Sequence, residues 1–134
     1  MDTPKGFGQA ALSPEFKEGV DLIWNRTAAG LQTNVRWRVQ HHSPTGFEIG
    51  YAGSGPAELA LNAMAALFPA SKEPRQVECF EGRVSHTAWL LHQSFKSAFL
   101  VTADRNEGQI VWAEIKEWLS QEREKPKAQA MHKS

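Results

Sequence analysis

The stretch that decides the fold is GYAGSGPAELALNAMAALF, which runs from Gly50 to Phe68. From Pro56 onward it is rich in alanine and leucine, and only Glu58 and Asn62 are polar. A helix that is apolar nearly all round is buried on most of its sides, and its alanines let neighbouring backbones approach closely. The sequence therefore predicts a central core helix over residues 56–68.

Two segments before this helix alternate between polar and apolar residues, which is typical of half-buried strands. They are NVRWRVQ (34–40) and GFEIGY (46–51), separated by the turn-forming run HHSPT. Pairing Val39 with Phe47 puts every apolar residue on one face and sets Arg38 against Glu48 on the other. We predict an antiparallel hairpin with strands 34–40 and 46–51.

The predicted fold is of the α+β class. In it a small antiparallel sheet packs on the core helix and on two further helices. Helices are predicted over 85–101, with Ser85 as N-cap, and over 113–122. Residues 14–24 fit either a helix or, from 20 to 24, a strand. We expect one domain over residues 14–122, a flexible N-terminus at 1–13 and a disordered tail at 123–134, because Pro126 breaks helices.

Composition narrows the class of protein. The 134 residues carry 15 basic and 15 acidic side chains, a balance that disfavours binding to nucleic acid through phosphates. The single cysteine, Cys79, suits a reducing compartment. There is no membrane-spanning run and no signal peptide, so we expect a cytoplasmic protein that does not bind membranes. The oligomeric state is left open.

The glycine run before the core helix resembles a dinucleotide-binding turn, G-x-G-x-x-G, but Glu58 stands in the third glycine position. A carboxylate there would repel a pyrophosphate. We predict a structural corner instead: Gly53 leaves the strand, Gly55 caps the helix, Pro56 begins it and Glu58 reaches back to a free backbone N–H. A nucleotide- or phosphate-binding protein, or a small enzyme, that uses the Gly53–Pro56 turn remains the alternative.

No other pattern predicts a catalytic residue, a metal ligand or a cofactor. His41 and His42 would point to opposite sides of a strand end, and no cysteine or carboxylate lies at ligand spacing. Neither Ser54 nor Cys79 has a base placed for it. His92 is expected on a solvated helix face. The polar pair Glu58 and Asn62 must be hydrogen-bonded on so buried a helix, and we expect it to support the glycine turn.

Candidate partner-binding residues lie at the predicted hairpin. Arg36 and Arg38 share its exposed face, and His41 and His42 follow at its end. Exposed arginines among aromatics suit a protein interface or, less favoured here, a nucleic-acid contact. The hypothesis that follows is a partner-binding surface at these four residues.

One motif carries a resemblance to a known family. GYAGSGPAELAL (50–61) resembles the Gly-Tyr-Gly-Gly-Ser-Gly-Pro-Ala and Leu-Ala-Leu signature of a small family of uncharacterised proteins from bacteriophages, prophages and plasmids. The likeness covers residues 33–120, including Phe95-Lys96 and Trp112, and departs from the family pattern at Ile49 and Ala52. The structural motif that we assign to this stretch and the start of the core helix comprises Gly50, Tyr51, Gly53, Ser54, Gly55, Pro56, Glu58 and Asn62.

The resemblance implies an origin in a mobile genetic element, and hence a location in a bacterial host cell, and it brings no chemistry with it. The function expected on that basis is a non-enzymatic interaction protein that binds a host or element-encoded protein. The working hypothesis is inhibition of a host defence complex, of the anti-CRISPR or anti-restriction type.

Overall fold

The computed structural model describes the backbone of residues 11–133 and the side chains of residues 11–123. The fold is a small α+β domain, as predicted. Its elements in chain order are β1 (Leu22–Thr27), β2 (Gly30–Thr33), α1 (Ser54–Leu67), β3 (Gln76–Glu78), β4 (Arg83–Ser85), α2 (His86–Phe95), β5 (Glu107–Ile110) and α3 (Trp112–Lys133). A short 3-10 turn at Ala70–Lys72 follows α1, and α2 continues as a π-helical turn over Lys96–Leu100.

The predicted core helix is confirmed as α1, at the centre of the protein. Every residue from Gly55 to Ala65 is buried. Helix α2 packs against it, and the core continues through Phe95 of α2 and Trp118 of α3, whose rings meet edge to face at 5.3 Å. The position of α1 brings its two polar residues, Glu58 and Asn62, completely inside the protein.

The main sheet has three antiparallel strands in the order β2-β1-β5. Residues 22–27 are therefore a strand, which decides between the two readings of the 14–24 region. Leu22 and Trp24 point into the core, and Trp24 lies opposite Gly108 of β5, where an added Cβ would collide with its ring. Gly30 starts β2 with φ +117°, a conformation that favours glycine. Strands β3 and β4 form a separate two-stranded sheet.

The predicted hairpin of residues 34–40 and 46–51 is wrong. The predicted buried face is confirmed in part, because Val35, Val39 and Ile49 are buried but Tyr51 is 39% exposed. However, these residues form no strand apart from a single bridge between Gln40 and Glu81. The N–H groups of Arg38 and Val39 bond to Asn62 of α1, and that of Gly50 bonds to the carbonyl of Leu100, so these groups need no partner strand.

The last two helices follow the prediction in part. Ser85 caps α2 as predicted, since its Oγ accepts from the N–H of Ala88 at 3.0 Å. Helix α3 extends to Lys133, past the predicted end at residue 122 and through Pro126. Of the flexible ends predicted at 1–13 and 123–134, residues 1–10, Ser134 and the side chains from residue 124 onward lie outside the described part of the chain. Within the described chain, no helix is both long and apolar enough to cross a bilayer.

Candidate functional site

A buried carboxylate organises the loop that precedes the glycine run. Glu58 is fully buried, and its two oxygens accept hydrogen bonds from four N–H groups: the backbone of His41, His42 and Ser43, and the indole of Trp37 at 2.7 Å. These donors take the place of the water that a buried carboxylate loses. Glu58 therefore fixes the path of residues 41–43.

Asn62, one helical turn later, holds the neighbouring residues in the same way. Its Oδ1 accepts from the N–H groups of Arg38 (2.6 Å) and Val39 (3.0 Å), and its Nδ2 donates to the carbonyl of Val39. Both polar side chains are satisfied, as predicted. They support the 38–43 loop, whereas the prediction assigned them to the glycine turn.

The glycine turn serves close packing of the chain on itself. Helix α1 is capped by Gly53 and begins at Ser54, so the predicted roles of Gly55 as cap, Pro56 as first residue and Glu58 as capping side chain are wrong. A Cβ on Gly55 would lie 2.5 Å from Cβ of Glu48, and one on Gly53 would lie 2.5 Å from the Tyr51 ring. Gly50 has φ +91°. The space beside Gly53 and Gly55 is filled by Tyr51 and Glu48, and that beside Gly50 by Arg105.

The predicted partner-binding arginines are joined by one carboxylate. Arg36 and Arg38 both form ion pairs with Glu15, at 2.8 and 2.9 Å. The hydrogen bond from Arg36 is the main reason that the pKa of Glu15 is lowered. The predicted pairing of Arg38 with Glu48 is wrong, because Glu48 pairs with Arg26 at 2.7 Å. Arg36 keeps 61% of its side chain exposed.

The loop held by Glu58 presents His41 and His42 to helix α2, where they meet Trp89 and His92. We call these four residues the histidine–tryptophan cluster. The Nε2 atoms of His42 and His92 lie 2.9 Å apart, with ring centroids at 5.1 Å. Trp89 lies nearly parallel to the His42 ring (10°) and edge-on to His41 at 5.2 Å. His92 is only 2% exposed, so its expected place on a solvated face is wrong.

The hydrogen bonds of the cluster set the protonation of its rings. His92 Nδ1 lies 2.6 Å from the carbonyl oxygen of Trp89, which can only accept, so Nδ1 carries the proton. Burial lowers the pKa of His92 to about 4, so the ring is neutral and its Nε2 accepts. His42 Nε2 is then the donor to His92. Burial, followed by the neighbouring His41, also lowers the pKa of His42.

Two of the most exposed large apolar side chains flank this cluster. The backbone N–H of Phe80 donates to Nδ1 of His41 at 3.2 Å, while the Phe80 ring is 73% exposed. Leu90 follows Trp89 on α2 and is 62% exposed. We call the surface made by Phe80, His41, Trp89 and Leu90 the Phe80–Leu90 face.

Comparison with known proteins places the chain in a family. A family model described as a family of unknown function, DUF6166, matches residues 15–121. The chain belongs to that family. No curated protein and no solved structure matches it. The matched region of this DUF6166 protein contains the glycine run, the Glu58–Asn62 pair and the whole histidine–tryptophan cluster.

The structure of this DUF6166 member separates the four predicted partner-binding residues. His41 and His42 join the cluster on α2, whereas Arg36 and Arg38 bind Glu15. Sequence reasoning missed Trp89, His92 and Phe80. Trp89 and His92 are three apart on a helix and so share a face, but nothing local shows that this face meets a loop 50 residues earlier.

The surroundings of Cys79 and Ser54, the two possible nucleophiles weighed from the sequence, do not activate either side chain. Cys79 is buried, and burial raises the pKa of its thiol to about 11, so it is not a thiolate at neutral pH. Ser54 begins α1 and is exposed. Among the residues with described side chains, no three of the types His, Cys, Asp and Glu lie close enough to hold a metal ion.

Proposed function

We propose that this DUF6166 member is a non-enzymatic interaction protein of a mobile genetic element, which binds a host or element-encoded protein through the Phe80–Leu90 face. The observation that carries the proposal is the exposure of Phe80, at 73%, on a short hairpin whose backbone is bonded to His41 of the cluster. Exposed large apolar side chains, aromatic ones above all, are typical anchors of protein interfaces.

The face has the rigidity that an interface needs. The backbone of Phe80 is fixed by His41, and His41 is fixed in turn because its own N–H bonds to Glu58. Trp89 is held between the histidine rings on a regular helix. A surface whose side chains are already in place loses little conformational entropy on binding.

A binding role also fits the state of the polar groups that a catalyst would need. Both oxygens of Glu58 are occupied by donors from its own chain, and Cys79 is a buried thiol. The finer hypothesis, inhibition of a host defence complex of the anti-CRISPR or anti-restriction type, rests on the resemblance to phage and plasmid proteins.

Affinity capture with a matched pair of variants tests the proposal. Phe80→Asp places a charge on the proposed face, and Val111→Asp places one on another exposed apolar residue, 40% exposed beside β5. Partners captured from a bacterial lysate by the wild type and by Val111→Asp should be lost with Phe80→Asp. Partners retained equally by both variants would overturn the assignment of the face.

The anti-defence hypothesis has its own measurement. A host that carries a CRISPR or restriction system, and that expresses the wild-type protein, should be infected by a targeted phage more efficiently than the same host expressing Phe80→Asp. Equal plating in both strains contradicts it. A rise in melting temperature with a nucleotide or coenzyme A would instead favour the small-ligand alternative at Gly53–Pro56.

A further inference from the structure

The hydrogen bonds of the histidine–tryptophan cluster form a chain, which we call the relay, and this chain determines that Nδ1 of His42 is a hydrogen-bond acceptor. It runs from the carbonyl of Trp89 to His92 Nδ1–H, and from His92 Nε2 to His42 Nε2–H. Gln93 Nε2 lies 3.4 Å from the same His92 nitrogen and reinforces its role as acceptor. Because Nε2 of the neutral His42 carries the proton, Nδ1 of His42 is a lone-pair acceptor.

This acceptor reaches the surface. Among the side chains that the structure describes, no buried nitrogen or oxygen lacks a hydrogen-bond partner. His42 Nδ1 has no partner within the described protein, so it is in contact with solvent. The same argument applies to the indole N–H of Trp89. His41 Nδ1 accepts from Phe80, so Nε2 of a neutral His41 is a second donor.

The cluster thus offers one fixed acceptor and two fixed donors on aromatic rings in contact with one another. We infer that this array recognises an amide group of the protein partner, an Asn or Gln side chain or an exposed peptide group, whose N–H meets His42 Nδ1 and whose carbonyl meets an N–H of Trp89 or His41. The inference rests on the proposed function and names the chemistry that the partner brings to the same face.

An amide fits better than a charged group. Lys96 on the π-helical turn acts on both His42 and His92 as a positive charge, which disfavours a cationic partner beside them. A carboxylate offers no N–H to His42 Nδ1. An amide supplies a donor and an acceptor side by side without charge, and its plane can lie against an aromatic ring.

Acid should abolish this recognition, because a proton on His42 Nδ1 removes the acceptor. The groups that act on His42 are His41 in the same loop, Glu58 on α1, which favours protonation, and Lys96 and His92 on α2 and its π-helical turn. Burial and His41 lower the pKa of His42, so binding is lost as the pH falls through that lowered value.

Nuclear magnetic resonance of the full chain with 15N-labelled histidine tests the relay without a partner. At neutral pH we expect the Nε2–H tautomer for His42 and the Nδ1–H tautomer for His92. A His42 ring protonated at Nδ1 would overturn the inference and leave the proposed function standing.

A small amide tests the recognition itself. Benzamide carries one donor and one acceptor on an aromatic ring, methyl benzoate lacks the donor, and benzamidine is a cation without an acceptor. At millimolar concentration benzamide should shift the ring resonances of His42 and the indole N–H of Trp89, whereas the other two should shift them much less. No shift with benzamide, or an equal shift with methyl benzoate, overturns the inference.

Variants of single histidines show which ring accepts the hydrogen bond from benzamide. His42→Phe keeps an aromatic ring in the loop but has no acceptor, and Gln93 can still donate to His92 Nε2, so this variant should weaken benzamide binding by about fivefold or more with the fold retained. His86→Gln, on the same helix as His92, should leave binding unchanged. Equal binding by the wild type and His42→Phe would exclude His42 as the acceptor. Loss of partner capture with Phe80→Asp is a separate result that bears on the proposed function alone.

Discussion

Glu58 is the residue on which the candidate site depends most directly. It is fully buried, and all four of its donors belong to the segment that carries Trp37 and the two histidines. Hydrogen bonds to a charged group contribute more than neutral ones, and a buried donor that loses its acceptor is costly. Removal of this carboxylate should therefore disrupt both the loop and the histidine–tryptophan cluster that the loop helps to form.

Glu58→Gln is expected to lower the free energy of unfolding by about 3 kcal/mol, because the amide places N–H groups against backbone N–H groups. Urea denaturation measures the loss. Glu117→Gln, at an exposed position of α3, should change stability by less than about 0.5 kcal/mol. A loss for Glu58→Gln no larger than that of Glu117→Gln would show that the carboxylate does not hold the loop.

A substitution at Gly55 tests whether the glycine run is needed for close packing. Gly55→Ala should destabilise the protein by about 2 kcal/mol, because the new Cβ would lie 2.5 Å from Cβ and 3.1 Å from the backbone nitrogen of Glu48. Ser54→Ala, one residue earlier and exposed, is the control and should be nearly neutral. Thermal unfolding gives the melting temperatures of the two variants. A melting temperature of Gly55→Ala as high as that of Ser54→Ala would show that position 55 tolerates a Cβ and that close packing does not require glycine there.

At the scale of elements, the 38–43 loop takes the place of a strand. Apart from that of Gln40, which bonds to Glu81 in a single bridge, its backbone N–H groups bond to Asn62 and Glu58 on α1, so the loop lies against the helix without a β-ladder. This explains how a segment with the alternation of a strand remains irregular, since alternation reports which side chains are buried and not where the backbone hydrogen bonds go.

The junction between helices α1 and α2 depends on one hydroxyl. Ser85 Oγ accepts from Ala88 N–H at the start of α2 and donates to the carbonyl of Phe68, just past the end of α1, at 2.6 Å. Ser85→Ala removes a cap and leaves that carbonyl unpaired, so we expect a loss of about 2 kcal/mol in denaturant unfolding. Ser97→Ala, exposed on the π-helical turn, should cost far less. Equal losses would contradict the role of the hydroxyl.

At the scale of the whole molecule, stability should fall in mild acid. The pKa of His92 is lowered from 6.5 to about 4 by burial, so the unfolded chain binds a proton that the folded protein excludes. Stability is therefore full above about pH 6.5 and decreases as the pH falls toward 4. Below about pH 4.5 the lowered carboxyl pKa values of Glu15 and Glu48 add to the loss, since their paired, ionised forms become protonated.

Melting temperatures measured from pH 7.5 to pH 4 test this dependence. The wild type should lose stability steadily across the range, by at most about 1.4 kcal/mol per pH unit for each proton. His92→Gln should flatten the slope between pH 6.5 and 4.5, whatever its stability at pH 7.5. His86→Gln should keep the wild-type slope. A slope unchanged by His92→Gln would show that another group governs the acid loss.

The sequence by itself determined the core helix, the cap of α2 and the α+β class. These features depend on local signals: an apolar surface on all sides of residues 56–68, and a hydroxyl one residue before a helix. It also predicted the burial of Val35, Val39 and Ile49, but not that of Asn34 and Ser43, and it placed the exposed Tyr51 on the buried face. Membership of a family of unknown function agrees with the resemblance carried by the glycine motif.

The tertiary structure alone decided where the sheet lies and what surrounds His41 and His42. Strand β1 pairs with β5 more than 80 residues away, and His42 meets His92 across 50 residues. Such contacts depend on how the elements pack in space. The periodicity of a segment shows which of its sides is buried, but it does not show which other element covers that side, because the hydrophobic effect favours burial against any apolar surface. The candidate site is formed in this way: one buried glutamate sets the loop, and the loop brings two histidines to a tryptophan on another helix.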